Sequence, residues 1–255
     1  MTVLELYRFL ENKMPRALSA SWDNDGAACI PVPTREARRV LVALDATERV
    51  VNRALDEGFD LLLTHHPLLF RGVKSLTPFA AVPRKLLALA QGGVAALSYH
   101  TRLDAAAGGV NDVLADLLGL VDVKPLASAD EPACARIGSL PAEMSAAEFV
   151  AEVKRRLGLS AVLVSGEGTV KTIALCGGEG GDFLDAARAA GADLYLSGRI
   201  GYHRMLDAPE EGIIAVEIGH FASEVPVLEA LAAWVREADD KIEIVIDTTP
   251  TIQLI

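Results

Sequence analysis

The chain has 255 residues, 51% hydrophobic and 23% charged, which allows one large domain or two modest ones and excludes a disordered chain or a small disulfide-stapled scaffold. With 35 acidic and 24 basic residues the formal charge is −11, and no cluster of Lys and Arg offsets it, so nucleic acid is not an expected partner. Cys29, Cys134 and Cys176 are far apart and lack C-x-x-C spacing, so they read as small buried hydrophobes in a reducing cytoplasm rather than as disulfides or thiolate ligands.

In chain order, Thr2 and Glu5 form a capping box ahead of Val3, Leu6, Tyr7, Leu10 and Met14 at helical spacing, and Pro15 closes this first helix. Glu5, Arg8 and Glu11 interrupt any apolar leader segment, so no secretory signal is expected. Residues 40–44 form a short β-rich run, Thr47 caps a helix ending at Gly58, and 61–63 is a second buried strand. The longest uncharged stretch, 86–101, is broken by Gln91, Gly92 and Gly93 and falls short of the ~20 apolar residues a membrane helix needs; its 94–97 segment reads as a strand. Downstream the pattern predicts a helix over 109–118, a strand near Ala135, a helix capped by Ser145 and running to 157, and strands over 161–164 and 173–176. A helix over 182–190, strands over 194–196 and 213–216, a helix over 222–237 and a strand over 242–246 complete the chain. Strands alternating with helices, several of the strands wholly apolar, predict an α/β fold with buried sheets.

An internal repeat organises this pattern. Residues from Val40, VLVALDATERVVNRALDEGFDLLLTHH, align without a gap on those from Ile173, IALCGGEGGDFLDAARAAGADLYLSGR, so that Gly58 meets Gly191 and Asp60 meets Asp193. A shorter echo relates Ser98-Tyr99-His100-x-x-x-Asp104 to Glu217-Ile218-Gly219-His220-x-x-x-Glu224. The repeat predicts two related α/β layers, residues 1–125 and 126–255, whose strand ends converge on one metal cleft. The small, polar and Pro-rich stretch 124–131 is the expected boundary, and the part from about 210 to 255 returns to the shared cleft.

Of five histidines, His65, His66, His100 and His220 lie two to four residues past the C-terminal end of a predicted strand, the edge where open α/β sheets bind ligands. His100 with Asp104, and His220 with Glu224, are four apart and face one side of a helical turn, so each pair can converge on an ion. His65 and His66 point apart on extended backbone and suit two neighbouring ions, with a carboxylate from Asp104 or Glu224 as a bridge. Imidazole and carboxylate without thiolate suit Zn, Fe, Mn, Co or Ni.

The segments Trp22-Asp23-Asn24-x-Gly26, Thr64-His65-His66-Pro67-Leu68 with Lys74-Ser75-Leu76, His100-Thr101-x-x-Asp104 with Gly108-Gly109-Val110-Asn111-Asp112, and Gly219-His220-x-Ala222-Ser223-Glu224 carry a resemblance. In this order they resemble the Nif-three-like dinuclear metal-centre family, the GTP cyclohydrolase type-two homologues, in its compact form without an inserted domain. The resemblance implies two related α/β layers, a homohexamer and two divalent ions per chain. The ligands it implies are His65, His66, Asp104, His220 and Glu224, with Glu224 bridging. His100 and His203 are then near-site residues and the candidates to shuttle a proton.

The activity implied is that of a metal-dependent hydrolase of a nucleotide-like or phosphorylated small molecule; the other reading is a metal-delivery or interaction protein without turnover. Arg102, Arg199 and Phe221 depart from the family's usual residues; Arg199 stands where an acid usually follows Ser197-Gly198, which either removes a reaction needing that acid or supplies a hold for an anionic substrate. Several features keep two readings. Gly177-Gly178-Glu179-Gly180-Gly181 is a tight turn or a phosphate cradle, and Asp45 is a helix cap or a metal-proximal acid. Lys74 is a phosphate contact or a solvated lysine, and Trp22-Asp23-Asn24 is a substrate-side loop or a packed turn.

Overall fold

A computed structural model describes residues 1–128 and 133–252. The chain divides into two compact units, Met1–Leu103 with Leu228–Ile255, and Asp104–Val227. In the first, α1 (Val3–Lys13) carries the capping box of Thr2 and Glu5 and buries Val3, Leu6 and Leu10. It is followed by β1 (Gly26–Cys29), β2 (Arg39–Ala43), α2 (Glu48–Asp56), β3 (Leu61–Thr64), α3 (Ala81–Gly92) and β4 (Ala95–Ser98). The short α4 (Thr101–Ala105) spans the division between the units.

The second unit continues with α5 (Val110–Leu117), β5 (Val121–Leu126), β6 (Ala135–Ser145), α6 (Ala146–Leu157), β7 (Leu163–Ser165) and β8 (Thr169–Glu179). Then come a 3-10 turn at Gly181–Phe183, α7 (Leu184–Ala189), β9 (Leu194–Arg199), α8 (Tyr202–Asp207), β10 (Ile214–Glu217) and α9 (His220–Glu224). Its sheet runs β5-β6-β8-β9-β10-β7, with β8, β9 and β10 parallel. Side chains alternate between two buried faces. Ile173, Leu175 and Leu194 pack with Phe149 and Val153 of α6, while Ala174 and Tyr195 pack with Ala187 and Met205. Helices on both sides explain why these strands read as continuous apolar runs.

The chain returns through α10 (Val227–Ala238) and β11 (Glu243–Asp247) to complete the first unit. Its sheet is ordered β1-β4-β3-β2-β11, parallel except for β1. Here Leu41, Val50, Leu62 and Leu89 form the core.

The division into units differs from the one expected at 125/126. The reason is pairing: β11 hydrogen-bonds in parallel to β2, so residues 228–255 join the N-terminal sheet. Residues 129–131 of the expected boundary lie outside the described residues, and its start at Lys124 falls within β5. The helix expected over 222–237 is two helices. Val225 still has helical backbone and donates to Phe221 O, but Pro226 has no N–H to continue the ladder, so α9 ends and α10 starts afresh.

The repeat is reproduced in the hydrogen bonding. In β2 and β3 the register pairs Val40 with Leu61, and in β8 and β9 it pairs Ile173 with Leu194. Asp60 Oδ2 accepts from the N–H groups of Arg38 and Arg39, and Asp193 Oδ2 accepts from those of Lys171 and Thr172. Phe59 N–H donates to Ala54 O and Ala192 N–H to Ala187 O, closing both helices alike. Each aligned pair thus has the same structural task.

Candidate metal centre

Within the first unit, parallel pairing places the ends of β3 and β4 side by side, with Thr64 opposite Ser98. The chain leaves these ends as His65-His66 and His100, and the three imidazoles gather there. Their ring centroids are 4.8 Å (His65–His66), 5.3 Å (His65–His100) and 5.6 Å (His66–His100) apart. One ligand nitrogen from each lies within 4.8 Å of the others.

Each ring is held by its Nδ1. His65 Nδ1 is 2.9 Å from the Tyr99 carbonyl oxygen, His66 Nδ1 is 2.8 Å from Asp45 Oδ1, and His100 Nδ1 is 3.0 Å from Asp23 Oδ1. A carbonyl or carboxylate acceptor places the proton on Nδ1 and makes Nε2 the electron-pair donor of each ring. Metal-ligating histidines are oriented in this way. Asp45 therefore serves His66, while Thr47 is the cap of α2, accepting from Val50 N–H at 3.2 Å.

Trp22-Asp23-Asn24 proves to be the arm that sets His100. Asp23 is buried, and its Oδ2 accepts from Thr101 Oγ1 at 2.6 Å and Thr101 N–H at 3.0 Å. Burial alone raises a carboxyl pKa, but the hydrogen bonds from His100 and Thr101 outweigh it and hold Asp23 well below the usual carboxylate range. Trp22 lies edge-on to Phe70 and His100, at centroid distances of 6.0 and 6.2 Å. Lys74 is exposed.

Within the second unit, His220 opens α9 and Glu224 closes it. The four-residue spacing brings His220 Nε2 to 3.1 Å from Glu224 Oε2. Asp104 offers a carboxylate oxygen within 4.8 Å of one from Glu224. Two carboxylates this close, with Glu224 buried, need a cation or a proton to offset their repulsion. The donor set of imidazoles and carboxylates without thiolate therefore fits a divalent ion.

The glycine run is fitted around Glu224. Gly178 has a φ of +63°, and a Cβ there would fall on Glu224 Oε1, so only glycine admits the carboxylate. Three of its N–H groups are engaged within the unit. Gly177 donates to Asn111 Oδ1 at 2.7 Å, Gly178 to Ser223 Oγ at 2.9 Å, and Gly180 to the Arg199 carbonyl at 3.1 Å. Of the two readings of this run, these bonds support the close-packed turn. Ser223 Oγ in turn donates to His220 O at 2.7 Å, and Asn111 Nδ2 to Asp104 O at 3.4 Å, so both residues hold ligand-bearing backbone.

His203 stands on the exposed face of α8 beside Tyr202, with ring centroids 5.4 Å apart, and joins none of these groups among the described residues. Arg199 is exposed and 3.9 Å from Glu179. Phe221 is half-buried. Cys134 and Cys176 are buried among apolar side chains, and burial pushes the Cys176 thiol pKa up, in keeping with a packing role. No helix of the described residues is long and apolar enough to cross a membrane.

Over residues 1–251 the chain matches the profile of Duf34/NIF3 (NGG1p interacting factor 3). It is 34% identical over 256 residues to a Clostridium perfringens protein named GTP cyclohydrolase 1 type 2 homolog, covering 96% of each. It is 32% identical over 235 residues to Protein NIF3 homolog of Schizosaccharomyces pombe, covering 86% of this chain and 84% of that one. The fold is similar to the crystal structure of a Bacillus cereus protein related to NIF3, with a TM-score of 0.90 at 22% identity over 100% of this chain and 99% of that one.

Proposed function

The chain belongs to the Duf34/NIF3 family, and on that premise we propose that His65, His66, Asp104, His220 and Glu224 hold two divalent ions, with Glu224 shared, in a metal-dependent hydrolase. The substrate class proposed is a nucleotide-like or phosphorylated small molecule, in keeping with the cyclohydrolase name of the relatives, and the assembly proposed is a homohexamer. The observation that carries the reading is the common orientation of the three imidazoles, each with Nδ1 on an oxygen acceptor and Nε2 left as electron-pair donor.

These residues would hold a divalent ion, which would supply Lewis-acid chemistry at that point. His65 and His66 are held rigidly by Tyr99 O and Asp45, so binding costs little reorganisation. His100 is the general base: Asp23 fixes its tautomer and stabilises the imidazolium that forms when Nε2 takes a proton.

The test is hydrolysis of GTP and of a panel of phosphomonoesters by wild type, chelated protein and the Glu224→Gln variant. Turnover lost on chelation and in the variant is expected. Undiminished turnover by metal-free protein would overturn the hydrolase mechanism, and stoichiometric metal without turnover on any substrate would favour the delivery reading.

A further inference from the structure

Beside His66, within the first unit, lies a cavity of about 540 Å³ whose walls include Asp45, His66, Leu68, Phe70, Val82 and Lys85. Its size falls within the range that holds a small organic ligand. Leu68, Phe70 and Val82 give it an apolar side, and Lys85 gives it a cation.

Lys85 extends from α3, and its Nζ donates to Ala46 O at 2.5 Å. An ammonium has three N–H donors, so two further bonds are available to a ligand. Of the two carboxylates whose charge reaches it, Glu48 is paired with Arg84 Nε at 2.6 Å, while Asp45 accepts from the neutral His66 at 2.8 Å and keeps its charge. Partial burial strips water from the ammonium and pulls its pKa below the usual lysine range. An anion entering the cavity would restore that lost solvation.

We propose that this cavity is a subsite for a small phosphomonoester, with the phosphate on the Lys85 ammonium and a flat apolar body along Leu68, Phe70 and Val82. Arg71 at the wall adds a second positive charge. Where the reacting end of such a molecule would lie rests on the reading of His66 as a metal ligand; anion binding at Lys85 does not.

The probe is phenyl phosphate, titrated calorimetrically into wild type, Lys85→Gln and Lys85→Arg, each as purified and after chelation, with benzyl alcohol as the uncharged control. Lys85→Gln should weaken binding about ten- to hundred-fold, the loss expected for a hydrogen bond from a charged group, while Lys85→Arg stays within a few-fold. Benzyl alcohol should not bind measurably. Val82→Trp, which fills the cavity and leaves the cation, should also abolish binding, so the proposal stays testable if Lys85→Gln proves unstable. Equal affinity in wild type and Lys85→Gln, or no binding to wild type at millimolar ligand, would overturn the subsite whatever the metal content. Lys85-dependent binding to a protein that holds no metal would uphold the subsite while removing the metal reading.

Discussion

Replacing Arg102 tests whether the histidine cluster rests on a buried ionic scaffold. Arg102 is 1% exposed. Its Nε donates to Asp25 Oδ2 at 3.0 Å, its Nη1 donates to Met14 O at 2.9 Å and lies 3.0 Å from Glu11 Oε1, and its guanidinium sits 4.7 Å over the Tyr99 ring. Asp25 Oδ2 also accepts from His100 N–H at 3.1 Å, which ties this network to the backbone of a site residue. Removing one partner of a buried, hydrogen-bonded pair costs about 3–5 kcal/mol because the other charge is left behind. For a chain of this size each kcal/mol shifts Tm by about 2–4 °C, so Arg102→Met should lower it by about 6–20 °C. In urea titrations followed by circular dichroism, the double variant Arg102→Met with Asp25→Asn should be less destabilised than the two single losses added together, since Asp25, which Arg16 pairs only at Oδ1, no longer carries the charge that faced Arg102. An Arg102→Met variant within about 1 kcal/mol of wild type would refute the scaffold argument.

Two other outcomes follow from particular contacts. Asp247 at the end of β11 bonds Arg49 at 2.8 and 2.9 Å and Arg53 at 3.1 Å, and the Arg49 bonds foremost hold its carboxyl well below the usual range. A depressed folded pKa gives stability that is complete above the ordinary carboxylate value of 3.8 and is lost as pH falls through the folded one, so Asp247→Asn should cost about 1.5–3 kcal/mol at neutral pH and less in strong acid. Urea midpoints against pH check this, and a gap that does not narrow on acidification would contradict it. Gly178→Ala places a methyl on Glu224 Oε1 and should lower bound metal at a folding cost of about 1–2 kcal/mol; undiminished metal by mass spectrometry would remove Glu224 from the ligand set.

Features written in short-range pattern were legible in the sequence. The capping box at Thr2/Glu5, the Ser145 cap, the apolar runs of β2, β3, β8 and β9, and the aligned acids Asp60 and Asp193 all emerge in the structure as expected. Histidines at strand ends were legible for the same reason, because a strand followed by His-His or His-x-x-x-acid is a local signal. What was not legible depends on partners distant in the chain or on weak local signals. Asp23 meets His100 across 77 positions, and the glycine run donates two of its N–H groups to Asn111 and Ser223, which spacing alone does not reveal. The four-residue β1 has little apolar periodicity, and α3 carries Pro83 in its first turn, where proline is tolerated although it reads as a breaker. The pairing of β11 with β2 reassigned the C-terminal segment, a long-range choice made by sheet edges rather than by residue type.

The most direct test of the central claim is metal content per chain, measured by mass spectrometry on protein purified without a histidine tag or added metal, beside His65→Ala and Glu224→Gln. About two ions per wild-type chain, lost in the variants, is the predicted result. No binding by wild type after reconstitution with any of the candidate ions would contradict it.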